Sequence, residues 1–160
     1  MVLVSGGVGI TPCLSVWKDL LRSSKKPQKV IMLWSVRDAE TFTKLYDDQF
    51  KRVINEEKEL ASSHSENPYA LNELTAFEYF FYVTKGSGSY KGSSGACQFG
   101  RPNMNQFFQE VCNHSNRKAD GGRIGVIVSG PFSLVNEVQS VCASFRGQTK
   151  IDVHEEYFSF

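Results

Sequence analysis

Ser5-Gly6-Gly7-Val8-Gly9-Ile10-Thr11-Pro12 places three glycines between the apolar run Val2-Leu3-Val4 and a segment with helical periodicity. Glycines let the backbone approach an anion closely. The unpaired N–H groups and positive dipole end of a following helix favour negative charge at the same place. That combination suits a pyrophosphate. The spacing fits neither G-x-G-x-x-G nor G-x-x-x-x-G-K-[ST], and no Lys follows to reach a terminal phosphate, so NTP hydrolysis is not implied. A plain tight turn is the alternative use of the same residues.

Three further segments carry polar or conformationally special residues where an apolar run ends. Ser35-Val36-Arg37-Asp38 closes the run Val30-Ile31-Met32-Leu33-Trp34. Arg37 there can pair with a 2′-phosphate through charge-assisted hydrogen bonds, unless it is only a solvated surface charge. Asp38 is expected to cap the next helix, although a carboxylate at this point can also accept from a free 2′-hydroxyl. Gly100-Arg101-Pro102-Asn103 sets an arginine just ahead of a helix start, and Ser129-Gly130-Pro131 ends another apolar run in a turn.

Hydrolytic and metal chemistry find no support. No Ser-His-Asp set, Cys-His pair or paired-carboxylate spacing stands out. His154 beside Glu155 and Glu156 reads as a structural group. Cys13, Cys97, Cys112 and Cys142 form no CxxC pair, and His64, His114 and His154 form no HxxxH pair, so no metal site is expected. Scattered cysteines suit a reducing compartment. Hydride transfer needs no acid–base set in the protein, because the cofactor carries the reactivity.

The elements that must hold these residues alternate. Strands are expected at the first run, at 30–34, at Phe77–Thr84, at Arg123–Ser129 and at Lys150–Val153. The intervening helices begin with Thr11 as N-cap and Pro12 at the first helical position, near Ala39 behind Asp38, after Asn103, and at Gly130-Pro131. The helix from Ala39 reads as one long amphipathic element. Ser62–Pro68 and the glycine- and serine-rich stretch 85–100 read as loops. This order predicts a doubly wound five-stranded parallel sheet with helices on both faces, and a ligand at the C-terminal ends of the strands.

Composition agrees with one α/β domain of 160 residues. Hydrophobic residues make up 41%, and 18 basic residues against 17 acidic ones leave a net charge of +1, which gives no basic field for nucleic acid. A chain of this size buries roughly 68–70% of its unfolded surface and can form its own core. It has neither an apolar run long enough to span a membrane nor signal-peptide patterning. A strand beginning at residue 2 suggests a fragment cut at a domain boundary.

The segments Gly6-Gly7-Val8-Gly9-Ile10-Thr11-Pro12, Trp34-Ser35-Val36-Arg37-Asp38, Gly100-Arg101-Pro102-Asn103 and Ser129-Gly130-Pro131, with the terminal Phe160, occur in the order seen in the ferredoxin-NADP reductase-like superfamily. Over essentially its whole length the chain resembles the C-terminal nicotinamide-binding domain of membrane ferric reductases and NADPH oxidases. The resemblance implies a Rossmann-like domain (1–160) that binds NADPH for hydride transfer to FAD on an absent β-barrel domain, its partner. Electrons would then pass through haem in an absent membrane domain to ferric iron or oxygen. It implies that Gly6, Gly7 and Gly9 cradle the pyrophosphate, that Thr11 and Pro12 lie near the nicotinamide, with Ile10 between turn and helix also in the cofactor-binding set, and that Arg37 contacts the 2′-phosphate. Ser35, Arg101, Pro102, Gly130 and Pro131 join the cofactor-binding set, and Phe160 covers the flavin. Ser129 departs from the family pattern, in which a cysteine thiol stands near the reacting nicotinamide carbon.

The fragment itself is expected to be soluble, without membrane insertion, on the cytosolic face of a membrane-embedded parent. A soluble flavin reductase of the same superfamily and a non-catalytic binding module remain alternatives.

Overall fold

The computed structural model describes residues 1–23, 27–64, 76–86, 97–116 and 122–157. Among the described residues six strands form one parallel sheet: β1 (Val2–Gly6), β2 (Lys29–Val36), β3 (Ala76–Val83), β4 (Gln98–Phe99), β5 (Arg123–Gly130) and β6 (Lys150–Tyr157). Their spatial order is β4-β3-β2-β1-β5-β6. The chain therefore runs outward from β1 to β4, then returns to β5 on the other side of β1. Such a reversal opens a crevice at the C-terminal ends of the central strands.

The helices are α1 (Ile10–Arg22), α2 (Ala39–Leu45), α3 (Lys51–His64), α4 (Met104–Asn116) and α5 (Phe132–Phe145). Side chains alternate across the sheet with period two, so each strand feeds two cores. Val4, Leu33 and Val128 pack with Phe108 and Val135 from α4 and α5. Leu3, Met32, Trp34 and Phe81 pack with Trp17, Phe42 and Phe50 from the other side. Burial on both faces explains why the central strands read as continuous apolar runs. Trp17 and Trp34 are both fully buried and meet Phe50 at centroid distances of 5.2 and 5.6 Å. Each such aromatic pair adds about 0.5–1.5 kcal/mol beyond its area burial.

Several sequence expectations need correction. The sheet has six strands rather than five, because Gln98 and Phe99 pair with Tyr82 and Val83 inside the stretch read as loop. Two residues are too few to show a period. Strand β6 extends past Val153 to Tyr157. Helix α1 starts at Ile10 with Gly9 at its N-cap, so Thr11 and Pro12 stand in its first turn. Proline is tolerated there because first-turn N–H groups have no intrahelical acceptor.

The helix after Asp38 is not continuous: a five-residue π turn, Tyr46–Phe50, separates α2 from α3. At α-helical pitch Phe50 would stand roughly 80° around the axis from Phe42. The wider turn brings both rings into the same core, fully buried. Helix α3 continues through Ser62 and Ser63 to His64, all three of which were expected in a loop. The rest of that loop, and most of the 85–100 stretch, lie outside the described residues. Among the described residues no helix is long and apolar enough to cross a membrane.

Candidate functional site

A cleft of about 470 Å³ opens over the C-terminal ends of β1, β2 and β3 and the start of α5. Its central part is the glycine turn. Gly6 and Gly7 line it, and Gly7 has φ +54°, a left-handed conformation with nothing within 4 Å of where a Cβ would stand. Trp34 holds this turn from β2, its indole N–H donating to the Gly7 carbonyl at 3.0 Å. Gly9 does a different job. A Cβ there would lie 2.5 Å from the Ser129 carbonyl oxygen, so its lack of a side chain lets the start of α1 press against the end of β5.

Opposite the turn, three cations border the cleft: Arg37 after β2, Lys85 after β3 and Arg101 after β4. No carboxylate stands among its described lining residues. The spacing follows from the sheet, since the Thr84 and Lys85 N–H groups donate to the Val36 and Arg37 carbonyls at 2.8 and 2.7 Å, and Gly100 N–H donates to Val83 at 2.9 Å. Ser35 and Pro131 complete the sequence-expected lining. Ser35 is half-buried, and its hydroxyl approaches the Ser5 carbonyl at 3.5 Å. Pro131 is the N-cap of α5 rather than its first residue, and its carbonyl accepts from Leu134 N–H at 2.9 Å.

Asp38 caps α2, accepting the Thr41 N–H at 2.8 Å. That bond, then the Thr41 hydroxyl, holds its carboxyl below the usual range, and the neighbouring Arg37 guanidinium acts in the same direction.

The remaining expected residues lie around the cleft rather than on its wall. Ile10 is buried in the core beneath α1. Thr11 is exposed and donates to the Val8 carbonyl at 3.3 Å. Pro12 and Pro102 are half-buried, and a Cβ on Gly130 would lie 3.1 Å from Gly6 N. Phe160 lies outside the described residues.

Ser129 is fully buried on the α1 side, opposite Ser5 in register, and its hydroxyl has no hydrogen-bond partner among the described atoms. A buried unpaired hydroxyl costs about 1–3 kcal/mol. Cys13 lies near them, its thiol donating weakly to the Val4 carbonyl at 3.9 Å. Burial, and secondarily the Glu156 carboxylate, push that thiol up to about 12.

Thr84, Lys85 and Leu134 line the cleft without having been anticipated. Lys85 had a signal, since it directly follows the third expected strand. A second hollow of about 320 Å³ lies at the opposite, N-terminal ends of the central strands, near Met1, Lys29, His114 and Arg123. It lies away from the topological switch point, where open α/β sheets bind their ligands.

Fold and cleft together define a doubly wound domain with a cation-bordered cleft at its switch point. Residues 1–143 match the model of the ferric reductase NAD-binding domain, and the chain belongs to that family. It is 28% identical over 174 residues to dual oxidase 1 of Sus scrofa, covering 99% of this chain and 11% of that protein. Identity to respiratory burst oxidase homolog protein A of Solanum tuberosum is 24% over 213 residues, covering 99% and 21%. The chain thus spans a small part of the relatives it matches.

Among solved structures, the CS-b5R domains of human Ncb5or in the NAD+ form superpose with a TM-score of 0.60 at 12% identity, covering 96% of this chain and 35% of that one. The cytochrome b5 reductase domain of Ulva prolifera nitrate reductase gives 0.51 at 17% identity, covering 97% and 48%. These two likenesses concern the fold.

Proposed function

We propose that this chain is the NADPH-binding domain of a transmembrane flavocytochrome oxidoreductase. It holds NADPH for hydride transfer to FAD on a separate barrel domain, and electrons then pass through haem in a membrane domain to ferric iron or oxygen. The parent would stand in the membrane with this domain on the cytosolic face. The observation that carries the reading is the cleft itself: an open glycine turn at a helix N-terminus facing Arg37, Lys85 and Arg101, with no carboxylate in the described lining. A dinucleotide with a pyrophosphate and a 2′-phosphate is the cofactor class that such a charge distribution suits.

When bound, the reduced nicotinamide supplies the hydride. The chain's residues bind and orient. Gly6 and Gly7 let backbone reach the pyrophosphate, Arg37 pairs with the 2′-phosphate, and Arg101 contacts phosphate or ribose. Thr11 and Pro12 are placed near the nicotinamide, and Phe160 is assigned the flavin-covering role. Ser129 acts as a positioning residue: its hydroxyl is enclosed, and its carbonyl meets Gly9. Val8 and Phe132, large apolar side chains exposed beside the two turns, are suited to meeting the FAD domain.

Calorimetric titration with NADPH and NADH tests the reading. NADPH binding that weakens severalfold in Arg37→Ala supports it, and no binding of either nucleotide refutes it. In the full-length parent, Ser129→Cys is expected to change the stopped-flow rate of flavin reduction, and an unchanged rate would count against a role for that position.

A further inference from the structure

We propose that Lys85 is the specificity-determining residue that, together with Arg37, receives the 2′-phosphate and so separates NADP(H) from NAD(H). The inference rests on the nucleotide-binding reading above. It starts from charge. Arg37 is followed by Asp38, whose carboxylate is fixed in place by the Thr41 N–H at 2.8 Å and lies close enough to feel the guanidinium. Arginine and aspartate together carry no net charge, so the pair alone offers a dianionic phosphate little long-range attraction. A second cation must supply it.

Lys85 is the cation the sheet brings to that point. Val83 lies opposite Val36 in the parallel ladder. Beyond it the two chains stay joined, Lys85 N–H donating to the Arg37 carbonyl at 2.7 Å. Both residues are exposed and border the same cleft. No ion pair joins Lys85 to a carboxylate among the described residues. Arg101 follows β4, one strand further out, about 4.8 Å by ordinary strand spacing.

The chemistry of the two side chains is complementary. A guanidinium fork fixes the orientation of a phosphate through paired N–H groups, whereas an ammonium on a flexible stem adds point charge wherever an oxygen stays uncovered. With Lys85 the subsite carries a net positive charge; with glutamine in its place it is neutral.

The test is calorimetry with NADPH and NADH on the unaltered chain, Lys85→Gln and Lys85→Arg, at two salt concentrations. In Lys85→Gln the NADPH affinity is expected to fall about tenfold, with NADH affinity held within about twofold and a shallower salt dependence for NADPH. Lys85→Arg should restore most of the loss. Equal losses for both nucleotides, or an unchanged NADPH affinity, would overturn the assignment while leaving the cleft's function intact. Binding of neither nucleotide by the unaltered chain would overturn the nucleotide reading and this assignment with it.

Discussion

The indole N–H of Trp34 reaches across 27 residues of sequence to donate to the carbonyl of Gly7 at 3.0 Å. Strand β2 thereby sets the orientation of the turn after β1. The same Trp34 ring stacks on Phe50 at 5.6 Å, so the aromatic core and the glycine turn share one side chain. Trp34→Phe keeps the ring in the core and removes only the donor. It is expected to cost about 1 kcal/mol, roughly fivefold in NADPH affinity if the turn loses its set. Urea denaturation and calorimetry would measure both, and unchanged affinity would show that the bond does not position the turn.

Gly7 and Gly9 should respond differently to alanine. At Gly9 the new Cβ meets the Ser129 carbonyl at 2.5 Å, a backbone atom that cannot step aside, so Gly9→Ala should lose about 1–3 kcal/mol of stability. At Gly7 the space is open but φ is +54°, which costs about 1–2 kcal/mol for a residue with a Cβ. That methyl would also stand where the turn lines the cleft, so NADPH binding should fall by more than the stability loss explains. A Gly9→Ala protein with an unchanged denaturation midpoint would contradict the packing argument.

The Asp38 carboxyl titrates below its ordinary value in the folded chain because the Thr41 N–H bonds its charged form. Its stabilising contribution is therefore fully present above the unfolded value of about 3.9, and is lost as pH falls through the lowered folded value. Asp38→Asn keeps a good cap and removes that titration, so the pH dependence of Tm below about pH 4 should flatten relative to the unaltered protein. The same change removes a negative charge beside Arg37 and should tighten NADPH binding. Identical Tm–pH curves for both proteins would contradict the assignment of the cap.

All four cysteines are buried, and burial raises their thiols, Cys13 and Cys142 up to about 12. The thiolate is the reactive form, so iodoacetamide at pH 8 should label the native chain slowly and the denatured chain at all four positions. Rapid labelling of one native cysteine, read by mass spectrometry, would place that thiol at the surface.

Much of this was legible in the sequence because the features are local. The apolar run Val30–Trp34 announced a strand covered on both faces and Arg123–Ser129 a further strand, and Asp38 and Asn103 announced caps that the structure realises, Asn103 accepting Gln106 N–H at 3.0 Å. What was missed depends on contacts distant in sequence. Gln98–Phe99 becomes a strand only because β3 offers an edge, and the π turn at 46–50 exists to bring Phe50 into a shared core. Lys85 looked like the first residue of a loop, and only the parallel pairing of β2 with β3 sets it beside Arg37. The burial of the Ser129 hydroxyl likewise follows from the pairing of β5 with β1, which no local pattern shows.

The most direct test is to map NADPH on the 15N-labelled chain by amide chemical-shift changes. The account expects the shifts to cluster at Gly6, Gly7, Arg37, Lys85 and Arg101, along one edge of the sheet. Shifts confined to the N-terminal ends of the strands, around Lys29, His114 and Arg123, or no shifts at saturating nucleotide, would contradict it.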